Sequence, residues 1–339
     1  MKIGLALGSG AARGWAHIGV IQALEALNIK IDVVAGCSIG AYVGSAYASN
    51  KLPELSDWVQ SLTEWQVFSL MGVGFQRGGL VSGQKVFTAL EDTFAAKSFA
   101  ELSKPFAAVA TDLYSGKEVN FTTGSIVEAV KASCAIPGLF PPVLHQNRWL
   151  VDGAVVNPVP VNMCRLLGAD IVIAVNLSAD FRPQSLADNQ IDHGLNQKKT
   201  SDFFKRSKGQ IKQWFSKSGN QEVAEQILKE NSQDNVLNDE CLEVLDPVSI
   251  DNSGLQQANV NVPPAPSIIN AMTGSLDILT ARVTRSRLAG DPPDILIEPQ
   301  LRDFGMMEFY RATELITEGK NSVDRIAKQI KYQLNLKDG

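Results

Sequence analysis

The chain has 339 residues, 45% of them apolar and 20% charged, enough to bury one large core or two modest ones. A formal charge of -5 and a pI near 5.4 give no pull toward polyanions, so nucleic acid is not an expected partner. Cys37, Cys134, Cys164 and Cys241 lack C-x-x-C spacing, which argues against a zinc knuckle, a redox pair or a disulfide framework and for reduced, mostly buried thiols.

The N-terminus lacks a basic segment followed by a long apolar run and a small-residue cleavage site, so a cytoplasmic location is expected. Residues 2–7 alternate and branch like a strand, and 15–27 place Ile18, Ile21, Leu24 and Leu27 on one helical face. A second strand is predicted at 31–35 and a helix after Gly40. The stretch from Val33 to Asn50 carries no charge and is about long enough to cross a bilayer. Its Gly, Ser, Ala and Asn content yields little transfer free energy, however, so a buried strand, turn and helix is the better reading.

Further strands are predicted at 106–113, 117–122, 148–151 and 170–177, and helices at 125–132 and 161–167. Strands alternating with helices imply an α/β fold with a mainly parallel sheet covered on both faces. From about Ala179 the composition turns polar, giving three expected segments: a core over 1–178, a polar and partly flexible insertion over 179–264, and a segment over 265–339 that completes the core. In the last segment, periodicity returns at 268–283, followed by the strand DILIEP and helices between Met307 and Leu334.

Two glycine-bearing turns carry the chemistry. GCSIG, from Gly36 to Gly40, fits G-x-S-x-G and falls between a strand and a small-residue helix. Such a turn strains its central residue and needs neighbours without bulk, which leaves Ser38 exposed at the carboxyl edge of the sheet as a candidate nucleophile. A serine hydroxyl needs a proton acceptor. Of the three histidines, His17 lies in the first helix, His145 precedes RWLVD and His193 sits in the polar insertion, so none has the setting of a triad base. Asp152, in LVDGAVV, leaves a strand directly into a tight Gly-Ala turn that frees its carboxylate. An exposed Asp with a pKa of about 3.9 is a feeble base, so this dyad demands a dry pocket or a transfer concerted with attack.

The other turn, GSGAARG, follows the first strand and precedes a helix. As a dinucleotide fingerprint it would use Asp32 as its ribose acid, although Arg13 then stands where the third glycine belongs. As an oxyanion hole it would offer the backbone N–H groups of Gly8, Ser9, Gly10 and Ala11 to the charge formed when Ser38 attacks a carbonyl. The elbow on the next strand favours the second reading.

GSGAARG, GCSIG and DGA, in that order, resemble the patatin-like phospholipases, whose pattern is G-x-G-x-x-[RK]-G, G-x-S-x-G and D-G-[GA]. The likeness is strongest to compact bacterial members and to the catalytic domains similar to neuropathy target esterase, and it extends to ATDLYSG, KASCAIPGLFPPV and PDILIEP. It implies a three-layer α/β/α hydrolase with a Ser38–Asp152 dyad, no cofactor and no metal, cleaving acyl esters of phospholipids or related lipids through an acyl-enzyme. It maps Gly8, Gly10 and Gly14 to the oxyanion loop, Arg13 to its basic position, Gly36 and Gly40 to the elbow, and Gly153 and Ala154 to the turn after the carboxylate. Arg13 either attracts a head-group phosphate or forms an ion pair at a helix start.

The insertion places Phe204, Ile211, Trp214 and Phe215 at near-helical spacing within the basic run from Lys198 to Lys217, a candidate for peripheral membrane contact. The acidic tract that follows is an alternative partner for that run. Rival functions are an acyltransferase, in which an alcohol replaces water, and a regulatory or scaffold protein that keeps the fold without turnover.

Overall fold

The structure is a computed structural model that describes residues 1–71, 73–76, 79–81, 83–180 and 268–336. The insertion beyond Asp180, with His193, Cys241 and the basic run from Lys198 to Lys217, lies outside these residues.

The first strand, β1 (Ile3–Leu7), is followed by a 3-10 turn over Ala11–Trp15 and by α1 (Ala16–Ala26). Next come β2 (Val33–Cys37), α2 (Ile39–Ala48), α3 (Leu52–Ser61) and α4 (Glu64–Met71). A small hairpin, β3 (Val73–Gln76) and β4 (Gly79–Val81), leads into α5 (Gln84–Ala89). The chain continues through β5 (Phe106–Asp112), β6 (Glu118–Phe121), α6 (Ile126–Ser133), β7 (Val143–His145), β8 (Arg148–Asp152), α7 (Val161–Leu166) and β9 (Ile171–Val175). After the insertion come α8 (Ile268–Gly290), β10 (Ile295–Ile297) and α9 (Ala312–Gln333).

Among the described residues the main sheet runs β10-β9-β1-β2-β5-β8-β7, with β6 also on β5. The pairs from β10 to β5 are parallel, whereas β6, β7 and β8 add antiparallel pairs. Alternate strand residues feed two cores. Leu5, Leu7, Val34 and Ala108 pack with α1, α2, α6 and α9, whereas Ala6, Val33, Ala35 and Val109 pack with α7. Period-two side chains on a sheet buried from both sides produce this three-layer α/β/α sandwich.

All ten residues of α2 are buried, which accounts for the uncharged stretch from Val33 to Asn50 as core. No helix among the described residues is long and apolar enough to cross a membrane. Helix α9 closes the far layer against α1. A Cβ on Gly19 would collide with the Ile316 carbonyl, and one on Gly319 with the Ala16 carbonyl. The two helices therefore cross backbone to backbone.

Expectation and structure differ at several boundaries. β2 starts at Val33 rather than residue 31 and runs on to Cys37, because Asp32 spends its carboxylate on the Ile3 N–H (2.9 Å) and marks the amino edge. Residues 11–15 form a 3-10 turn ahead of the first α-helix, and α8 extends to Gly290.

Candidate active site

The topology around β5 brings the site together. Cys37 of β2 pairs with Val109, and Asp152 of β8 pairs with the next residue, Ala110. Because β6 occupies the opposite edge of β5 across the same positions, β2 and β8 share one edge and meet end to end. Each then turns sharply where they meet, β2 into α2 through Ser38 and β8 into a 3-10 turn over Gly153–Val155.

Ser38 has φ 55 and ψ -124, the strained geometry of an elbow. The two elbow glycines are required sterically: a Cβ on Gly36 would meet the Gly40 carbonyl, and one on Gly40 the Leu7 carbonyl. Ser38 Oγ donates to Asp152 Oδ2 at 2.6 Å. The other carboxylate oxygen, Oδ1, accepts the Ala154 N–H at 2.8 Å and faces Cys37 Sγ at 4.0 Å. A Cβ on Gly153 would collide with the Val109 carbonyl, so this turn needs its glycine to bring the carboxylate in.

Asp152 is 3% exposed. Desolvation pushes its pKa up to about 7, against the opposing hydrogen bonds from Ser38 and Ala154. The dry pocket that a carboxylate base demands is thus present around this side chain. Burial also pushes the Cys37 and Cys134 thiols well up, so both stay protonated and inert.

The glycine-rich loop packs against the start of α2, where a Cβ on Gly40 would also meet the Gly8 carbonyl. Gly10 is extended, with φ 165, and Ala11 is left-handed, with φ 49. The four N–H groups expected to line an oxyanion hole are not equivalent. Gly8 donates to the Val175 carbonyl at 3.1 Å and Ser9 to the Pro158 carbonyl at 2.9 Å, so these two anchor the loop to its neighbours. Gly14 packs against Ile39, where a Cβ would clash, and this locks the loop to the start of α2.

His17 supports the loop from below. Its Nε2 lies 2.7 Å from the Gly8 carbonyl, and burial lowers its pKa to about 4. It is therefore neutral and committed to backbone, while the Ser38 hydroxyl is committed to Asp152. His145 packs edge-on against Phe121, with ring centroids 4.9 Å apart.

Of the two readings of Arg13, the structure has the ion pair. Its Nε donates to the Phe304 carbonyl at 2.9 Å, its Nη1 lies 3.8 Å from Asp277 of α8, and the side chain is 14% exposed. Asp32 lies at the amino edge of β2, at the opposite end of the strand from the glycine loop, so the dinucleotide reading loses its ribose acid.

Sequence reasoning missed Ser133, at the end of α6, whose Oγ accepts the Ser38 N–H at 2.8 Å. Its only signal was a place inside KASCAIPG. Among the described residues no group of His, Cys, Asp and Glu is arranged to hold a metal.

Comparison with known proteins agrees with this architecture. A model of the family described as patatin-like phospholipase matches residues 5–165, a span that includes both glycine turns and Asp152. The chain is 31% identical over 333 residues to an uncharacterized NTE family protein of Mycobacterium bovis, covering 94% of this chain and 89% of that one. It is 31% identical over 185 residues to neuropathy target esterase sws of Drosophila melanogaster, covering 52% of this chain and 13% of the fly protein. With patatin-like phospholipase domain-containing protein 7 of Rattus norvegicus it shares 28% identity over 184 residues, 52% of this chain and 14% of the rat protein.

The fold and the relatives define a class, the lipid acyl hydrolases of α/β/α architecture. Within it, the chain belongs to the patatin-like phospholipase family, among relatives of the NTE type.

Proposed function

We propose that the protein is a serine lipid acyl hydrolase, a phospholipase or lysophospholipase, that works through a Ser38–Asp152 dyad and an acyl-enzyme. The observation that carries this reading is the 2.6 Å contact between Ser38 Oγ and Asp152 Oδ2 inside a dry pocket.

As Ser38 Oγ attacks the ester carbonyl carbon, its proton passes to Asp152 Oδ2. The carbonyl π electrons move to oxygen, and the resulting oxyanion is held by N–H groups of the glycine loop, chiefly those of Gly10 and Ala11, since Gly8 and Ser9 have spent theirs. Collapse expels the alcohol, which leaves with the proton from Asp152. Water then gives a proton to Asp152 and attacks the acyl-enzyme, and the fatty acid departs as Ser38 recovers its hydrogen. Gly36, Gly40, Gly14 and Gly153 let the segments approach closely enough for these transfers, and Ala154 holds the carboxylate through Oδ1. Arg13 braces the loop from outside the reaction.

A fluorophosphonate probe tests the reading. Wild type is expected to label, and Ser38→Ala and Asp152→Asn are not. Strong labelling of Asp152→Asn would overturn the assignment of the base.

A further inference from the structure

His17 is a fully buried titratable side chain that the proposed mechanism leaves unused. The helix crossing fixes its place, because α1 and α9 meet backbone to backbone on either side of it, at Ala16 and at Gly19. From there Nε2 reaches the Gly8 carbonyl at 2.7 Å. A carbonyl oxygen only accepts, so Nε2 carries the proton of the neutral ring. Nδ1 is then a bare acceptor, and it has no hydrogen-bond partner among the described residues. A buried acceptor without a donor costs stability, a cost that a leucine at this position would not carry. What sets histidine apart here is the single N–H that it aims at the loop.

That N–H acts on the peptide unit next to the oxyanion donors. The Gly8–Ser9 unit is held at both ends, its carbonyl by His17 and its N–H by the Pro158 carbonyl at 2.9 Å. Because the unit is planar and rigid, two anchors fix its plane and the position of the Ser9 Cα that follows. The Gly10–Ala11 unit is anchored through its own carbonyl, which accepts the Arg13 N–H at 3.1 Å. The N–H groups of Gly10 and Ala11 therefore belong to this second anchored unit and to the one spanned between the two anchors. The same Gly8 oxygen lies against the nucleophile elbow, where a Cβ on Gly40 would come within 2.8 Å of it. The His17 contact thus bears on the spacing between the glycine loop and the turn that carries Ser38.

We propose that His17 is a positioning residue for the oxyanion hole: as a neutral donor it seats the Gly8 carbonyl against the elbow and so aims the Gly10 and Ala11 N–H groups at the carbonyl that Ser38 attacks. The proposal rests on the hydrolase reading of the site. The ring touches neither substrate nor dyad, so its effect is confined to the charge that develops on the carbonyl oxygen, and that charge exists mainly in the transition state.

The test uses the full chain with a soluble short-chain ester and its thionoester, in which sulfur, a weak hydrogen-bond acceptor, replaces the carbonyl oxygen. His17→Leu is expected to lower kcat on the ester roughly ten- to thirtyfold, less than outright removal of an oxyanion donor, with KM within about twofold. Thionoester turnover should change little, so the preference for oxygen over sulfur shrinks. His17→Gln, whose amide N–H reaches about where Nε2 stands, is expected to recover most of the loss. Urea unfolding reports whether each variant is folded. In the wild type, which needs no variant to fold, nitrogen NMR at pH 7 should find the ring proton on Nε2. A proton on Nδ1 would overturn the proposal, as would unchanged ester turnover in folded His17→Leu, an equal loss on both substrates, or a folded His17→Gln that recovers nothing. Absence of ester turnover in wild type would instead remove the hydrolase reading, and this proposal with it.

Discussion

Cys37 and Asp152 occupy consecutive register positions on one edge of β5, opposite Val109 and Ala110. Two strands far apart in sequence therefore end against each other, and the residue that follows the first touches the last residue of the second. The proposed nucleophile and its carboxylate are thus set by backbone pairing of the sheet, which is a more precise way to hold two side chains together than a loop.

In the proposed mechanism the environment of Asp152 sets the pH dependence of the reaction. Its carboxyl must be ionised to accept a proton, and desolvation places its pKa at about 7. With a soluble ester, kcat/KM is expected to fall roughly tenfold per pH unit below about 7 and to level off above it. An acidic limb centred near the ordinary aspartate value of about 4 would contradict this.

The same shift predicts a stability difference of opposite sense. The folded state favours protonated Asp152, with its pKa raised from 3.8 to about 7. That preference contributes fully below the unfolded value and is lost as pH rises through the folded value. Asp152→Asn keeps the shape without the buried charge, so at pH 8 it is expected to be more stable than wild type, by on the order of 3–4 kcal/mol. The gap should close toward pH 4 in urea unfolding. A variant that is less stable at pH 8 would show that Asp152 is ionised at little cost.

Ser133 is expected to position the nucleophile without touching the substrate. Ser133→Ala leaves the buried Ser38 N–H without its acceptor, a loss of about 1–3 kcal/mol in stability, and loosens a residue whose backbone is strained. We expect kcat to drop on the order of tenfold with KM little changed, and Ser133→Thr, which restores the oxygen, to recover most of it. Equal losses in both variants would point to packing instead.

How much of this was legible in the sequence depended on the range of each interaction. The elbow is local: Gly36 and Gly40 clear carbonyls within a few residues or on the adjacent strand, and such demands leave a motif. The turn after Asp152 was legible because its Gly153 meets the Val109 carbonyl, again a backbone constraint that only glycine satisfies. Ser133 was not, because a serine accepting a backbone N–H from 95 residues away has the same letter as one facing solvent. The strand limits of β2 were misplaced by two residues for a similar reason. Strands buried on both faces lose the alternation that marks their ends. Helix α3, with Leu52, Leu55 and Val59 buried along one face, carried a readable pattern that the motif-led reading passed over. For Arg13 the sequence left two readings open, because its partners, Phe304 and Asp277, come from the segment beyond the insertion.

That clamp can be measured. Arg13 joins the glycine loop to α8 through Asp277 and to the Phe304 carbonyl, and Ala12 adds an N–H to the Met306 carbonyl at 3.0 Å. The receiving segment is itself held, since Arg311 stacks 4.1 Å over the Phe304 ring and binds Glu308. Desolvation raises the Asp277 pKa, and Arg13 opposes the rise. Removing the guanidinium alone strands a largely buried carboxylate. Arg13→Met is therefore expected to destabilise the protein by about 2–3 kcal/mol at pH 8, and by less as the pH falls and the raised Asp277 carboxyl takes up its proton. Adding Asp277→Leu should recover part of the loss, because an apolar pair of similar volume carries no desolvation cost. A double-mutant cycle in urea measures the coupling. If the two effects simply add, the contact at 3.8 Å contributes nothing, and the Phe304 hydrogen bond alone holds the loop.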